Sequence, residues 1–361
     1  MFKRPVLATS VLLALLWLLP GCGSSHHTAY ITTPLNNGVA AFRVDNHTGK
    51  LNPLPGSPFQ GGLSPVAIVV HPSDKFVYVA NGGGNDISLF KIQNTFGLIE
   101  VLPRTPTRLN PSSLAMDSAG KFLFVTNSGS NNVSVFSIDA TSGALSEITG
   151  SPYAVGFNPI FVTESPSGKF LYVANSAGNT ISAFTIGSSG ALTEIPGSPY
   201  VLTSSPLAQS AGPNWIAIDP SEKFLYVANL LSSNISGFTI DSNTGALTIV
   251  NGAPFNAGTS PSSLVFGPTG QFLYVANLTS NGITPFALDT KGVPTKITST
   301  DYPTGANPSF IVLDVTKTYL LVGSRGGNSV GTFSINSSSG QLVPLATTGI
   351  GSSPTSLSAM K

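Results

Sequence analysis

Residues Lys169 to Asn175 read KFLYVAN, and the phrase returns along the chain. It is KFVYVAN from Lys75, KFLFVTN from Lys121, KFLYVAN again from Lys223 and QFLYVAN from Gln271, with weaker copies at Thr318 (TYLLVGS) and Tyr30 (YITT). The aligned positions are Tyr30, Tyr78, Phe124, Tyr172, Tyr226, Tyr274 and Leu321, seven copies at steps of 48, 46, 48, 54, 48 and 47 residues. A steady period in the forties, built from short β-type runs, is the mark of a repeat architecture.

One whole unit, Asn158 to Tyr200, shows what repeats. NPIFVTE is a strand entered through Asn-Pro, SPSGK is a turn punctuated by Pro and Gly, and FLYVAN is a second strand. SAGN turns the chain into TISAFTI, and GSSGALTEI leads to a fourth strand that closes on PGSPY. No amphipathic helical period appears beyond the amino-terminal segment. Four short strands per unit predict an all-β, seven-bladed propeller. The first two strands of each unit are almost continuously apolar, as sheets covered on both faces require.

The chain ends predict how the ring closes. The first unit opens at Tyr30 in a second strand, and SPTSLSAM at Ser353 to Met360 matches the opening NPSSLAM at Asn110. Residues 354–360 are therefore expected to pair with residues 30–59 and remove the free sheet edge.

Composition narrows the function classes. The 361 residues carry 16 Lys and Arg against 15 Asp and Glu, so no basic field recruits nucleic acid. Charged residues are only 9%, while Gly (38) and Pro (28) are abundant. Such a surface must be built largely from Ser, Thr, Asn and Gly. The single cysteine, Cys22, excludes a disulfide framework and a thiolate metal cluster within one chain. Neither cofactor nor metal-ligand spacing stands out.

Lys3 and Arg4 precede an apolar run from Val6 to Leu19, then Pro20, Gly21 and Cys22. This is the layout of an export signal, and the run is shorter than the ~20 residues of a membrane span. LPGC resembles a bacterial lipobox, with Pro20 departing from the usual small or β-branched residue. The expected organisation is a signal peptide over 1–21, a lipidated Cys22 with a tether over 22–29, and the propeller over 30–361. His26 and His27 fall in that tether. The expected location is the cell envelope, with a membrane anchor at Cys22 and the propeller facing the periplasm or the exterior.

FLYVAN followed by N-x-(I/V)-S-x-F resembles the YVTN-type repeat. Tyr30 to Lys361 resembles the seven-bladed lactonase-like family that includes bacterial 6-phosphogluconolactonase. The resemblance speaks for fold more than for activity, because the shared motifs are structural. The Tyr and Asn of YVAN are expected to be packing and turn residues.

The resemblance also implies where chemistry would sit. Loops before first strands and between second and third strands are expected on one face, around the channel. Active members carry Arg and His just after the opening proline, as in GPRH. Here those pairs are Val66-Ala67, Ser112-Ser113, Ile160-Phe161, Asn214-Trp215, Ser262-Ser263, Ser309-Phe310 and Thr355-Ser356, without one Arg, His, Lys or acid. This predicts a non-catalytic scaffold binding a glycan, small ligand or envelope protein. The alternative is an extracytoplasmic, lactonase-like hydrolase, with Glu164 as base helped by Asn214 and an arginine.

Glu164 is singled out because its first-strand position is apolar in other units, and a buried carboxylate is costly unless paired. Trp215 near the entry is a stacking candidate. Arg104, Arg108 and Arg325 would bind an anion if they converged. Asp86 in GGGND is an isolated calcium candidate. The longest step places additional residues in TSSPLAQSAG, Thr203 to Gly212, on the ligand-facing side.

Overall fold

A computed structural model describes residues 26–202 and 210–360. Seven antiparallel sheets form the ring, one per repeat, as expected. The blade centred on KFLYVAN has strands Pro159–Glu164, Phe170–Asn175, Thr180–Ile186 and Leu192–Glu194, numbered from the channel outward. We number the blades 1 to 7 by the order of their second strands, which makes this one blade 4.

The second strand of each blade is the most buried, and apolar clusters fill the spaces between neighbouring blades. This explains why it lacks alternation: both its faces meet another sheet. The outer strand is the edge. The Pro of the GSP phrases falls in the turn beyond it, where no ladder donor is needed.

The tail closes the ring. Leu357–Met360 becomes the innermost strand of blade 1, with Ile31 opposite Leu357 and Thr28 opposite Met360. The paired strand is His26–Thr33, so blade 1 takes in His26 to Ala29, ahead of the expected Tyr30. His27 is correspondingly not a solvated linker residue. It is 4% exposed, its Nδ1 lies 2.8 Å from Asn46 Oδ1, and its Nε2 lies 3.7 Å from the Asp314 carboxylate. The proposed signal and Cys22 lie outside the described residues.

The repeated Tyr straps one blade to the next. Tyr78 donates its hydroxyl to the Gly143 carbonyl (2.7 Å), Tyr172 to Gly245 (2.8 Å) and Tyr274 to Gly340 (2.9 Å), each reaching the outer turn of the following blade. Tyr226 does the same to Gly292, and Tyr30 donates to Phe96 O. Burial pushes these phenols well above their ordinary pKa, which keeps them protonated donors. Leu321 cannot make this bond at the seam between blades 7 and 1. There Thr332, opposite Leu321 in the ladder, donates to Gly49 O at 2.9 Å instead.

The repeated Asn pins its own blade. Asn175 Nδ2 donates to Thr180 Oγ1 (3.0 Å) and Ser182 Oγ (2.9 Å), and Asn229 Nδ2 to Asn234 Oδ1 and Ser236 Oγ (2.8 Å each). The phrase N-x-(I/V)-S is thus the partner set of this buried amide. The expectation that the Tyr and Asn of YVAN are structural is met by these bonds.

Candidate functional site at the channel mouth

The ladder polarity sets the two faces of the ring. Gly82 N–H donates to Ser64 O, Ser128 N–H to Asn110 O, Ser176 N–H to Asn158 O and Arg325 N–H to Asn307 O. Each bond joins a second-to-third-strand turn to the loop before a first strand, so both loop sets share one face, the mouth face. A rim of side chains links neighbouring blades there. Asn85 Oδ1 accepts Asn110 N–H (2.7 Å), Asn131 Oδ1 accepts Asn158 N–H (2.8 Å), and Asn281 Oδ1 accepts Asn307 N–H (2.7 Å). These turn asparagines sit at φ near +55°, in the left-handed region that Asn tolerates better than most residues.

Below the rim, the residue after the opening proline points sideways. Ser112 Oγ donates to Pro159 O (2.8 Å), Ser262 Oγ to Pro308 O (2.7 Å), Ser309 Oγ to Pro354 O (3.1 Å) and Thr355 Oγ1 to Pro65 O (3.2 Å). Asn214 Nδ2 donates to Ser262 O (2.6 Å). Five of the seven positions therefore carry a blade-to-blade belt, interrupted by Val66 and Ile160. These short side chains spend their donor hydrogens on neighbouring backbone. The belt went unread in the sequence, where its only signal was a hydroxyl recurring after the proline.

Inside the belt lies a cavity of about 950 Å³, with apolar walls that include Ile68, Leu114 and Val312. Phe161 and Trp215, from neighbouring blades, stack with centroids 4.1 Å apart and planes 29° apart. Trp215 also packs on the apolar cluster shared by blades 1 and 7 and on that of blades 5 and 6. The indole thus joins the apolar clusters of several blades and lines the cavity. Arg325, exposed at the blade 7 rim, is the charged residue among those lining it. Blade 7 stands nearly across the ring from the Phe161 blade.

Of the residues singled out in the sequence, Asn214, Trp215 and Arg325 come together at this cavity. Phe161, not singled out, joins them. The other candidates go elsewhere. Arg108 is ion-paired with Glu147 at 3.1 Å, and Arg104 with Glu100 at 2.7 Å, so the three arginines form no common anion site. Asp86 Oδ1 accepts from Asn81 Nδ2 at 2.7 Å, the blade-pinning role. No group of three or more His, Cys, Asp or Glu among the described residues is arranged to hold a metal ion. Of the long loop, residues 203–209 lie outside the described residues. Its end is held on the mouth face by Ser210 Oγ and Gly212 N–H, both donating to Asn179 Oδ1.

Glu164 is not brought to the mouth. It ends the strand that Pro159 begins, paired with Leu171, roughly 16 Å down the channel wall at the rise of a β-strand. Burial pushes its carboxyl up to about 7, with help from the negative charges of Asp117 and Glu222 and opposition from a Ser118 backbone hydrogen bond. Its Oε1 is buried without a hydrogen-bond partner. The base expected beside Asn214 and an arginine is therefore separated from both by the length of the inner strand.

A family model described as a lactonase, seven-bladed β-propeller matches residues 22–163, 161–254 and 204–358. No curated protein matches in sequence. Among solved structures, a Bacteroides fragilis protein described as a candidate 6-phosphogluconolactonase superposes with a TM-score of 0.82 at 22% identity, over 95% of this chain and 100% of that one. The periplasmic gluconolactonase PpgL of Pseudomonas aeruginosa gives 0.72 at 18% identity, over 93% and 99%. At these identities the likeness is one of fold.

Proposed function

This chain belongs to the lactonase seven-bladed β-propeller family, and from that premise we propose that it is an exported hydrolase of carbohydrate lactones, working at the channel mouth. The observation that carries the reading is the Phe161–Trp215 stack lying in one cavity with the Arg325 guanidinium. A flat, largely apolar face suits the C–H face of a lactone ring. A guanidinium suits its polarised carbonyl oxygen, on which negative charge grows during attack. With a single cation in the lining among the described residues, the cavity favours a lactone without phosphate. The export-type amino terminus favours work outside the cytoplasm, and the structural similarity to a periplasmic gluconolactonase agrees with it.

The reaction adds water across the ring ester. Hydroxide, formed when solvent takes a proton from water, bonds to the carbonyl carbon, Arg325 steadies the oxyanion, the bond from that carbon to the ring oxygen breaks, and the ring oxygen leaves as an alkoxide that takes the proton of the new carboxylic acid, giving a hydroxyl and a carboxylate. No Asp, Glu or His lines the cavity among the described residues, so solvent takes the proton from the attacking water. That same feature favours a second reading, a mouth that binds a neutral sugar or small ligand without turning it over.

A pH-stat assay on glucono-δ-lactone, corrected for spontaneous opening, separates the two. Hydrolysis should rise about tenfold per pH unit without an enzymic plateau, as expected for a step first order in hydroxide. Arg325→Gln should lower it by about 100-fold at unchanged melting temperature. A wild-type rate equal to the spontaneous one, with the lactone still quenching Trp215 fluorescence, would establish the binder instead.

A further inference from the structure

Five large apolar side chains stand exposed around the mouth, one on each of five successive blades: Leu35, Leu63, Leu109, Phe157 and Leu231, from 58% to 76% exposed. We infer that this arc is the outer half of the ligand site, and that the lactone it serves carries an alkyl or acyl chain; the lactone part of this rests on the hydrolase reading above. Leu63, Leu109 and Phe157 hold one structural position, two residues before the opening proline of blades 2, 3 and 4. Their carbonyls accept Gly83, Gly129 and Gly178 N–H at 3.1 Å each, which pins the backbone and leaves the side chains in solvent. In blades 6 and 7 the same position holds Thr259 and Ala306. The arc adjoins the cavity: Leu35 follows Pro34, Leu63 precedes Ser64, Leu109 precedes Asn110 and Leu231 follows Leu230, and all four neighbours line it. The remaining exposed large apolar residues lie on outer strands. Such residues scattered singly need no explanation, but an arc around one opening marks a surface that a ligand covers.

The interior wall continues the arc. The hydrogen-bonded belt is broken at Val66 and Ile160, in blades 2 and 4, and both line the cavity. Ile68 and Leu114 line it further down the inner strands of blades 2 and 3. Between the two breaks, Ser112 has its hydrogen committed to Pro159 O. This sector therefore offers few donors to sugar hydroxyls or ordered water, and hydrocarbon is what it accepts without loss. Size points the same way. At about 950 Å³ the cavity is at the upper end of the ~300–1,000 Å³ that takes drug-sized ligands, so a bare monosaccharide lactone leaves most of it empty. The arc is centred on blade 3, and Arg325 stands on blade 7, nearly opposite. The mouth is thus amphipathic, with an apolar sector facing a cation. A lactone ring on the Phe161–Trp215 stack, its carbonyl toward Arg325, would send a chain past Val66 and Leu114 and out over Leu63 and Leu109.

The test separates binding from turnover. Methyl, hexyl and octyl β-D-glucopyranoside, none of them a lactone, are titrated into the full chain by calorimetry at monomeric concentrations. Affinity should rise about threefold per added CH₂ as hydrocarbon is buried. Leu63→Ser combined with Leu109→Ser, both at exposed positions, should cut the octyl-to-methyl affinity ratio about tenfold, with the melting temperature reporting that the fold is kept. Val66→Ser, inside the cavity, is an independent variant that should lower the same ratio. Equal affinity for the three glucosides, or a ratio unmoved by these variants, overturns the proposal. Hydrolysis is read apart from this, as kcat/KM on δ-hexalactone and δ-dodecalactone corrected for spontaneous opening, and the longer lactone should be favoured about tenfold. Chain-dependent glucoside binding without turnover of either lactone would remove the hydrolase reading and keep the chain site. Turnover of glucono-δ-lactone with no chain dependence in either series would do the reverse. Co-sedimentation with phosphatidylcholine vesicles, or self-association, that is lost in the double variant while the glucosides bind equally would give the arc to a bilayer or to a second copy and overturn the proposal.

Discussion

Phe161 and Trp215 stack across a blade boundary, with ring centroids 4.1 Å apart. Trp215 is the single tryptophan of the described residues, because the other, Trp17, lies in the amino-terminal segment. Its fluorescence therefore reports on the cavity it lines. Trp215→Leu keeps an apolar side chain but removes the flat face. Affinity for a neutral aldonolactone, measured by calorimetry, should fall about tenfold, with a stability cost under about 2 kcal/mol.

Glu164 makes stability depend on pH. Its carboxyl is raised to about 7 in the fold, mainly by burial, from an ordinary value of 4.5. The folded state thus holds the proton more tightly than the unfolded one. Its contribution is complete below the unfolded pKa and is lost as pH rises through about 7. Glu164→Gln imitates the protonated form. It should match wild type at pH 4 and exceed it at pH 8 by about 1 kcal/mol, after discounting for solvent screening at this half-exposed residue. Urea titrations at the two pH values check this, and an equal offset at both would remove the linkage.

The closing strand holds more than its length suggests. Leu357 and Met360 are buried at 8% and 6% exposure, and Thr355 completes the inner belt through Pro65 O. Ending the chain after Ser353 removes these contacts and leaves the inner edge of blade 1 unpaired. The melting temperature should drop by roughly 10 °C, with aggregation on heating. Calorimetry showing an unchanged transition would mean that the ring stands without its tail.

Tyr172→Phe leaves the Gly245 carbonyl without its donor while keeping the ring volume. It should cost about 1 kcal/mol. Phe124 shows that one blade functions without the hydroxyl, so the loss is expected to be tolerated and not to unfold the protein. Denaturant midpoints with an unchanged slope would isolate this bond.

The seven-fold body was legible because each blade repeats one local grammar. Apolar runs set the inner strands, Pro and Gly set the turns, and a terminal fragment matching a missing first strand announced the closure. The roles of Tyr172 and Asn175 followed from the same logic. The site was less legible. Trp215 and Arg325 could be named from their places in the repeat, but their distance across the ring has no trace in sequence spacing. Glu164 looked like a partner of Asn214 because both were placed in inner strands, Glu164 as an exception to an apolar position and Asn214 where active family members carry Arg. The ladder register puts them at opposite ends.

The sequence by itself determined the number of blades, the strand order and the seam, since these depend on pairing between segments that repeat in register. Tertiary structure alone decided what the mouth contains. Curling seven sheets into a ring brings together side chains more than a hundred residues apart, as with Phe161 and Arg325. It also turns Ser112, Ser262, Ser309 and Thr355 from potential ligand contacts into a belt of blade-to-blade hydrogen bonds. Which way a short polar side chain points is fixed by the acceptor nearest to it once the blades are packed, and that acceptor belongs to another repeat.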